Sequence, residues 1–573
     1  MASFIKNPFR PPSFFFYLIG LSCLFEVSTS VFNVSAKTTP SLDTISGGHW
    51  FLLHSSVGVS AMHMQLLKSN KVVIFDRTDV GPSNLSLPHD KCIRSPRGTD
   101  CTAHSLLYDI VSNTFRPLTV HTDTWCSSGS VNPDGVLVQT GGYGEGIRKV
   151  RTFPPSDDNR SDWTELSTKL WERRWYATNQ VLPDGRTIIV GGRLAFSYEF
   201  FPKKSANDGS FSKLYYLSFL KETRDPYEEN NLYPFLHLLP DGNLFIFANK
   251  RSILFDYNRN SVVREFPIIP GDFKRNYPST GSSVLLPLRL DWRRNGTVLP
   301  EAQVMICGGS PPGAFNMSNR ARIFVSASNT CGRIRVTDPK PKWVMEEMPM
   351  PRVMSEMVLL PTGDVIIING ATKGTAGWED AVNPVFNPVL YLTYEPDPER
   401  RFMVLNPSRI PRMYHSTAVL LPDGRILVGG SNPHKVYNFT AYPYPTELSL
   451  EAFHPYYLDP QFVPLRPSII SAGSRQRIVF YGQRFSVVFV LALHRPNLGI
   501  SVVLMTPSFS THSLGMNQRM LVMEVVSLAQ LSTFAYKITV GGPPTGTVAP
   551  PGYYMLFVVH AGVPSPAVWV KVQ

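Results

Sequence analysis

The chain has 573 residues, 17% of them charged and 43% hydrophobic, with a formal charge of +12. That length exceeds one hydrophobic core, so two or more domains are expected, and the composition excludes a disordered chain. No Lys/Arg run or basic-aromatic stripe accompanies the positive charge, which argues against a nucleic-acid partner and leaves adsorption to acidic extracellular polysaccharide as the expected use of it.

Residues 1–30 read as an export signal. Lys6 and Arg10 precede a short apolar run, Phe14 to Phe25, and "STS" at 28–30 offers small residues for cleavage. The run is short for a membrane span, so a secreted, extracellular protein without a transmembrane anchor is expected; an anchor is the alternative. Without the leader's Lys6, Arg10 and Glu26 the charge is about +11. Six N-x-Ser/Thr sequons, at Asn33, Asn84, Asn159, Asn295, Asn316 and Asn438, permit glycosylation. Of six cysteines, Cys23 belongs to the leader. In an oxidising compartment Cys92–Cys101 and Cys307–Cys331 are local disulfide candidates, which leaves Cys126 over: a buried inert thiol, a member of a different pairing, or a thiol in use.

Most of the remaining chain repeats one pattern. An apolar strand, a P-D-G-type turn and a second apolar strand occur in "VNPDGVLVQTGG", "VLPDGRTIIVGG", "HLLPDGNLFIFAN", "VLLPTGDVIIING" and "VLLPDGRILVGG". A stretched copy runs from 284 to 309 and a degraded one from 64 to 76, seven in all. Proline pre-sets φ in such a turn and glycine takes the positive φ. A spacing near fifty residues is the kelch-type signature, so the expected fold is all-β: a seven-bladed β-propeller over 47–455. Short β-rich runs after a linker then suggest an immunoglobulin-like β-sandwich over 460–573. "GYGEG" at 142–146 follows a strand and opens no helix, so it is not read as a phosphate loop.

Against the repeat, three copies carry chemically capable residues just ahead of the hairpin: Cys126 in "DTWCSSGSV", Tyr176 in "ERRWYATNQ", and Tyr414 with His415 in "PRMYHSTAV". Equivalent strands of different blades converge on a propeller axis, so these side chains could meet there. Imidazole and phenolate together suit copper, and His512, in the polar loop "PSFSTHSLGMNQR", is the candidate second imidazole. Zinc is disfavoured because neither H-E-x-x-H nor C-x-x-C occurs. Tyr414 and His415 are neighbours, and on a regular strand they would face opposite ways. Both reach one ion only if the backbone is irregular there, or if one ligand is axial and the other equatorial.

The set W-C-x-S-G, R-W-Y-A-T, R-x-Y-H-S and T-H-S-x-G-x-N-Q-R resembles that of the copper radical oxidases, the galactose oxidase and glyoxal oxidase group. "NGATKGTAGW" (369–378) and "PPGYYMLFVVHAGVPS" (550–565) place the resemblance nearest the glyoxal oxidase-like aldehyde oxidases. It implies a copper ion held by Tyr176, Tyr414, His415 and His512, and a Cys126–Tyr176 thioether that carries a tyrosyl radical. Tyr414 would be the general base. The implied reaction takes an aldehyde, as its hydrate, and O2 to a carboxylic acid and H2O2, in a monomer. The sequence departs from the galactose oxidase pattern after Gly191–Gly192, where no tryptophan precedes Trp292. That puts a sugar alcohol substrate in doubt; Phe196 and Tyr198, nearby, read as ordinary blade residues. A primary alcohol oxidase of the same group and a non-catalytic polysaccharide-binding propeller are the rival functions.

Overall fold

The computed structural model describes residues 46–573 apart from 89–90, 96–97, 156–157, 159, 204–212, 292–297, 475–476 and 496–497. The export signal with Cys23, the sequons at Asn33, Asn159 and Asn295, and Trp292 lie outside the described residues.

All seven repeated hairpins form. Their strand pairs are His63–Leu66 with Lys71–Phe75, Ser128–Val131 with Leu137–Thr140, Ala177–Val181 with Thr187–Gly191, Phe235–Leu238 with Leu244–Ala248, Gly281–Leu285 with Gln303–Gly308, Glu356–Leu359 with Val365–Ile368, and Ser416–Leu420 with Ile426–Gly430. Two further antiparallel strands extend each pair to four. In the last sheet the outermost strand is His49–His54, from the start of the described chain, paired with Leu450–His454 from the end of the repeated region. Such a closure joins the first and last parts of the repeat by backbone hydrogen bonds.

Burial falls from the first strand outward. Phe235–Leu238 and Leu244–Ala248 are wholly buried, whereas Ser261–Glu265, fourth in the same sheet, is mostly exposed. The turns repeat atom for atom. The amide of the glycine bonds back to the residue three before it in Asn132–Gly135, Leu182–Gly185, Leu239–Gly242, Leu360–Gly363 and Leu421–Gly424, at 2.9–3.0 Å. Each of these glycines has positive φ, and Asn70 takes the same place in the degraded copy at φ 57°.

After residue 466 two more sheets form. One runs Ser468–Ala472, Arg484–Val490, Ala535–Gly541, Val525–Gln530; the other is built on Arg519–Met523, Ile500–Thr506, Gly552–His560 and Val568–Val572. Val487 and Phe489 alternate into one core with Val502, Leu504, Ile538 and Val540. This C-terminal region sends out one hairpin, Phe509–Thr511 with Leu514–Met516. Its first strand adds to the edge of His63–Leu66, and both its strands lie against first strands of other repeated sheets. The disulfides Cys92–Cys101 and Cys307–Cys331 form, and Cys126 is free and buried. Asn84 and Asn438 are exposed, while the Asn316 amide, half-buried, donates to Glu228 at 3.1 Å.

Candidate metal centre

The ends of the hairpins opposite the turns carry the site. Arginines are buried there: Arg174, Arg275, Arg352 and Arg412 each donate to the carbonyl at the end of the second strand of their hairpin, to Gly191, Gly308, Asn369 and Gly430 respectively. Two residues after each arginine stand Tyr176, Tyr277, Met354 and Tyr414. A guanidinium has five donors in a rigid plane, so bonding it to the strand end fixes where the following residues begin. The backbone there is left-handed at non-glycine residues: φ is 51° at Cys126, 67° at Tyr176, 60° at Met354 and 63° at His415.

That irregularity answers the Tyr414–His415 problem. His415 at φ 63° turns back, so the two neighbouring rings stack on one side with centroids 3.8 Å apart. His512 arrives on the inserted hairpin, whose two-residue turn is His512–Ser513 at φ 44° and 71°. Positive φ at both central residues is the turn geometry that matches strand twist. The Thr511 hydroxyl lies 2.6 Å from His512 Nδ1, which leaves Nε2 facing Cys126 Sγ at 3.2 Å.

All five expected site residues thus come together, each buried. Among the described residues, the donor atoms of Cys126, His415 and His512 lie within 4.8 Å of one another. The ring centroids of His415 and His512 are 4.8 Å apart and near-perpendicular, and those of Tyr176 and Tyr414 lie 6.1 and 5.7 Å from His512. Among the described residues, neither ring nitrogen of His415 has a hydrogen-bond partner, an uncommon state for a buried imidazole. Burial pushes both imidazoles well below the usual histidine range, so they are neutral lone-pair donors. Burial also pushes the Tyr176 and Tyr414 phenols and the Cys126 thiol well up. Two neutral imidazoles, one of them unbonded, two phenols and a thiol fit a copper ion: N and O donors suit Cu(II), and a cation is what would ionise the phenols.

Sequence reasoning missed five neighbours. The Tyr277 hydroxyl accepts from Tyr176 at 3.1 Å and lies 2.8 Å from that of Tyr414. Tyr176, Tyr277 and Tyr414 line a cavity of about 620 Å³, with Trp125, Trp175 and Trp378 also on its wall. Trp175 packs on Tyr176 with centroids 4.8 Å apart, and Trp125 stacks on Trp378 at 5.3 Å. The Arg77 guanidinium sits 3.9 Å over Trp125. The tryptophan absent after Gly191–Gly192 therefore has counterparts from other loops. Phe196 and Tyr198 pack into a separate cluster with Tyr215 and Phe255, as ordinary sheet residues. The signal for Tyr277 was present: "RNY" at 275–277 repeats the R-x-Y of "RWY" and "RMY".

Two family models match the chain: "Glyoxal oxidase N-terminus" over residues 62–457 and "Galactose oxidase-like, Early set domain" over 466–572. "Aldehyde oxidase GLOX" of Vitis pseudoreticulata is 45% identical over 91% of this chain and 97% of its own. "Aldehyde oxidase GLOX1" of Arabidopsis thaliana is 43% identical over 92% of this chain and 84% of its own. Among solved structures, a fungal alcohol oxidase of the AA5 family, in complex with copper, superposes with a TM-score of 0.68 at 19% identity, over 92% of this chain and all of that one, and so shares the fold.

Proposed function

The chain belongs to the glyoxal oxidase family, and from that premise we propose a secreted copper radical oxidase that converts aldehydes to carboxylic acids with reduction of O2 to H2O2. It is an oxidoreductase acting on aldehydes. The seven sheets built on the repeated hairpins, each of four repeat strands, are read as the blades of a kelch-type propeller over 47–455, and the two sheets sharing one core as an immunoglobulin-like sandwich over 460–573. Two disulfides and the short apolar leader support export. No helix among the described residues is long and apolar enough to cross a membrane. A monomer that adsorbs to acidic polysaccharide through its positive charge completes the proposal.

The observation that carries the reading is the buried, unbonded His415 imidazole facing His512, Cys126 and two phenols. His415, His512, Tyr176 and Tyr414 would hold copper, which when bound supplies a one-electron acceptor. Cys126 Sγ and the Tyr176 ring, ortho to its hydroxyl, would form a thioether; the thiol and the ring each give up one hydrogen, two electrons and two protons that O2 takes. A further one-electron oxidation, by O2, would leave Tyr176 holding one oxidising equivalent as a radical. Tyr414 accepts the proton of the aldehyde hydrate's hydroxyl, a positioned base step, and Tyr176 takes the hydrogen atom from the carbon. The balance is RCH(OH)2 + O2 → RCOOH + H2O2. Trp125, Trp175 and Trp378 wall the cavity and limit water around the radical.

A peroxidase-coupled assay of copper-loaded protein across aldehydes and primary alcohols tests this. Peroxide and acid from aldehydes are expected. Peroxide from alcohols alone would move the chain to the alcohol oxidases, and none from any substrate would leave a binding propeller. Intact mass should show two hydrogens missing beyond those of the two disulfides.

A further inference from the structure

Tyr277 stands where Tyr176 and Tyr414 stand: two residues after a buried arginine that donates to the end of its hairpin, Arg275 to Gly308. Three sheets therefore present a phenol to one place by one device. The three hydroxyls form a row, Tyr176 to Tyr277 at 3.1 Å and Tyr277 to Tyr414 at 2.8 Å. The Tyr277 ring also packs on that of Tyr176, with centroids 4.4 Å apart, and borders the cavity. Tyr233, the tyrosine ahead of the adjoining hairpin, points elsewhere: its hydroxyl donates to the Ser127 carbonyl at 2.9 Å.

We propose that Tyr277 is a positioning residue whose hydroxyl donates to the Tyr176 oxygen and so sets the oxidising strength of the radical; this rests on the radical reading above. In the metal-free protein Tyr176 is the donor of that bond. A Tyr176 oxygen that binds a metal has no proton to give, so Tyr277 becomes the only donor of the pair, and once Tyr414 has taken the substrate's proton it can donate to Tyr277 and leave the Tyr277 proton for Tyr176. A hydrogen bond to a phenolate oxygen favours the phenolate over the neutral radical, because the radical oxygen carries less charge. Its loss makes Tyr176 easier to oxidise and therefore a weaker hydrogen abstractor. Tyr277 needs no contact with substrate carbon to do this.

The test is Tyr277→Phe in the copper-loaded, full-length protein, which keeps the ring packing and removes only the hydroxyl. Redox titration followed through the radical's absorption should show a lower potential. Copper content and the Cys126–Tyr176 mass signature should match the wild type, and kcat should fall roughly tenfold at constant KM, about the effect of one hydrogen bond to a charged oxygen. An unchanged potential overturns the proposal. So does loss of copper, which would mean that Tyr277 holds the ligands and does not tune one of them. A wild-type protein with bound copper and no radical fails at an earlier step: it sinks the radical reading, and this inference with it.

Discussion

At the turn ends of the hairpins, Gly135, Gly185, Gly242, Gly363 and Gly424 take positive φ, where the absence of a Cβ makes it nearly free. At the opposite ends the left-handed residues are Cys126, Tyr176, Tyr233, Thr280, Met354 and His415, in six of the seven hairpins. There each costs roughly 1–2 kcal/mol. The same strands thus have one relaxed end and one strained end, and the strained end holds Cys126, Tyr176, Tyr414 and His415, while His512 comes to it from the inserted hairpin. Strain persists where surrounding bonds over-determine the backbone, and the buried arginines supply those bonds. The repeat fixes the scaffold at its turns, and at Cys126, Tyr176 and His415 the backbone cost falls on side chains aimed at a common point, while Tyr233, equally left-handed, is bonded away from it.

The comparison breaks if the arginines do not hold the strained end. Arg174 donates to the Gly191 and Ser197 carbonyls and pairs with the buried Glu199 at 3.0 Å. Arg174→Met removes the charge partner of that carboxylate, which keeps only the Trp171 and Glu172 amides, and the donor to both carbonyls, and should cost about 3–5 kcal/mol in denaturant unfolding. Copper uptake should fall along with it. Wild-type stability would show that the strained end is held by something else.

His512→Ala should lower copper affinity by about 100-fold or more, with a smaller effect on unfolding, since it removes a donor and leaves the hairpin turn. A chelator competition titration reads this directly. Undiminished affinity would remove the C-terminal region from the site.

Copper affinity should also depend on pH, in a direction fixed by the strained end alone. Burial raises the Tyr176 and Tyr414 phenols well above 10, so both carry protons at neutral pH and must lose them to bind. The imidazoles are lowered and already unprotonated there, so they add no dependence. Apparent affinity should therefore rise with pH between 6 and 9, about tenfold per unit for each proton released. A flat profile would mean that neither phenol ionises on binding.

Local chemistry decided what could be read beforehand. A P-D-G turn is specified by three adjacent residues, so the hairpins were legible. Cys126, Tyr414 and His415 stood out because the repeat around them is regular, and the family resemblance gave them roles. Tyr277 hid because its hairpin is the stretched copy: Gly281–Leu285 and Gln303–Gly308 are separated by a long insertion without P-D-G, so the R-x-Y ahead of it had no frame. Trp378 was quoted within a motif without a role, since only tertiary packing places its loop against Trp125. Left-handed φ at tyrosine carries no sequence signal, because it is imposed by neighbours and not preferred by the residue.

The smallest effect is expected at the relaxed end. Gly242 has φ 89°, and a Cβ there would meet the Thr547 methyl at 3.2 Å, a side chain able to give way. Gly242→Ala should then cost about 1 kcal/mol, the ordinary penalty for alanine at positive φ. Copper affinity and the Tyr176 potential should not move, because the strands between the turn and the metal centre are wholly buried and hydrogen-bonded along their length. Unfolding in denaturant and a copper titration on the same preparation separate the two readouts. If this variant altered the metal centre as much as it altered stability, the two ends of the hairpin would be mechanically coupled, and the division between a relaxed scaffold end and a strained functional end would fail.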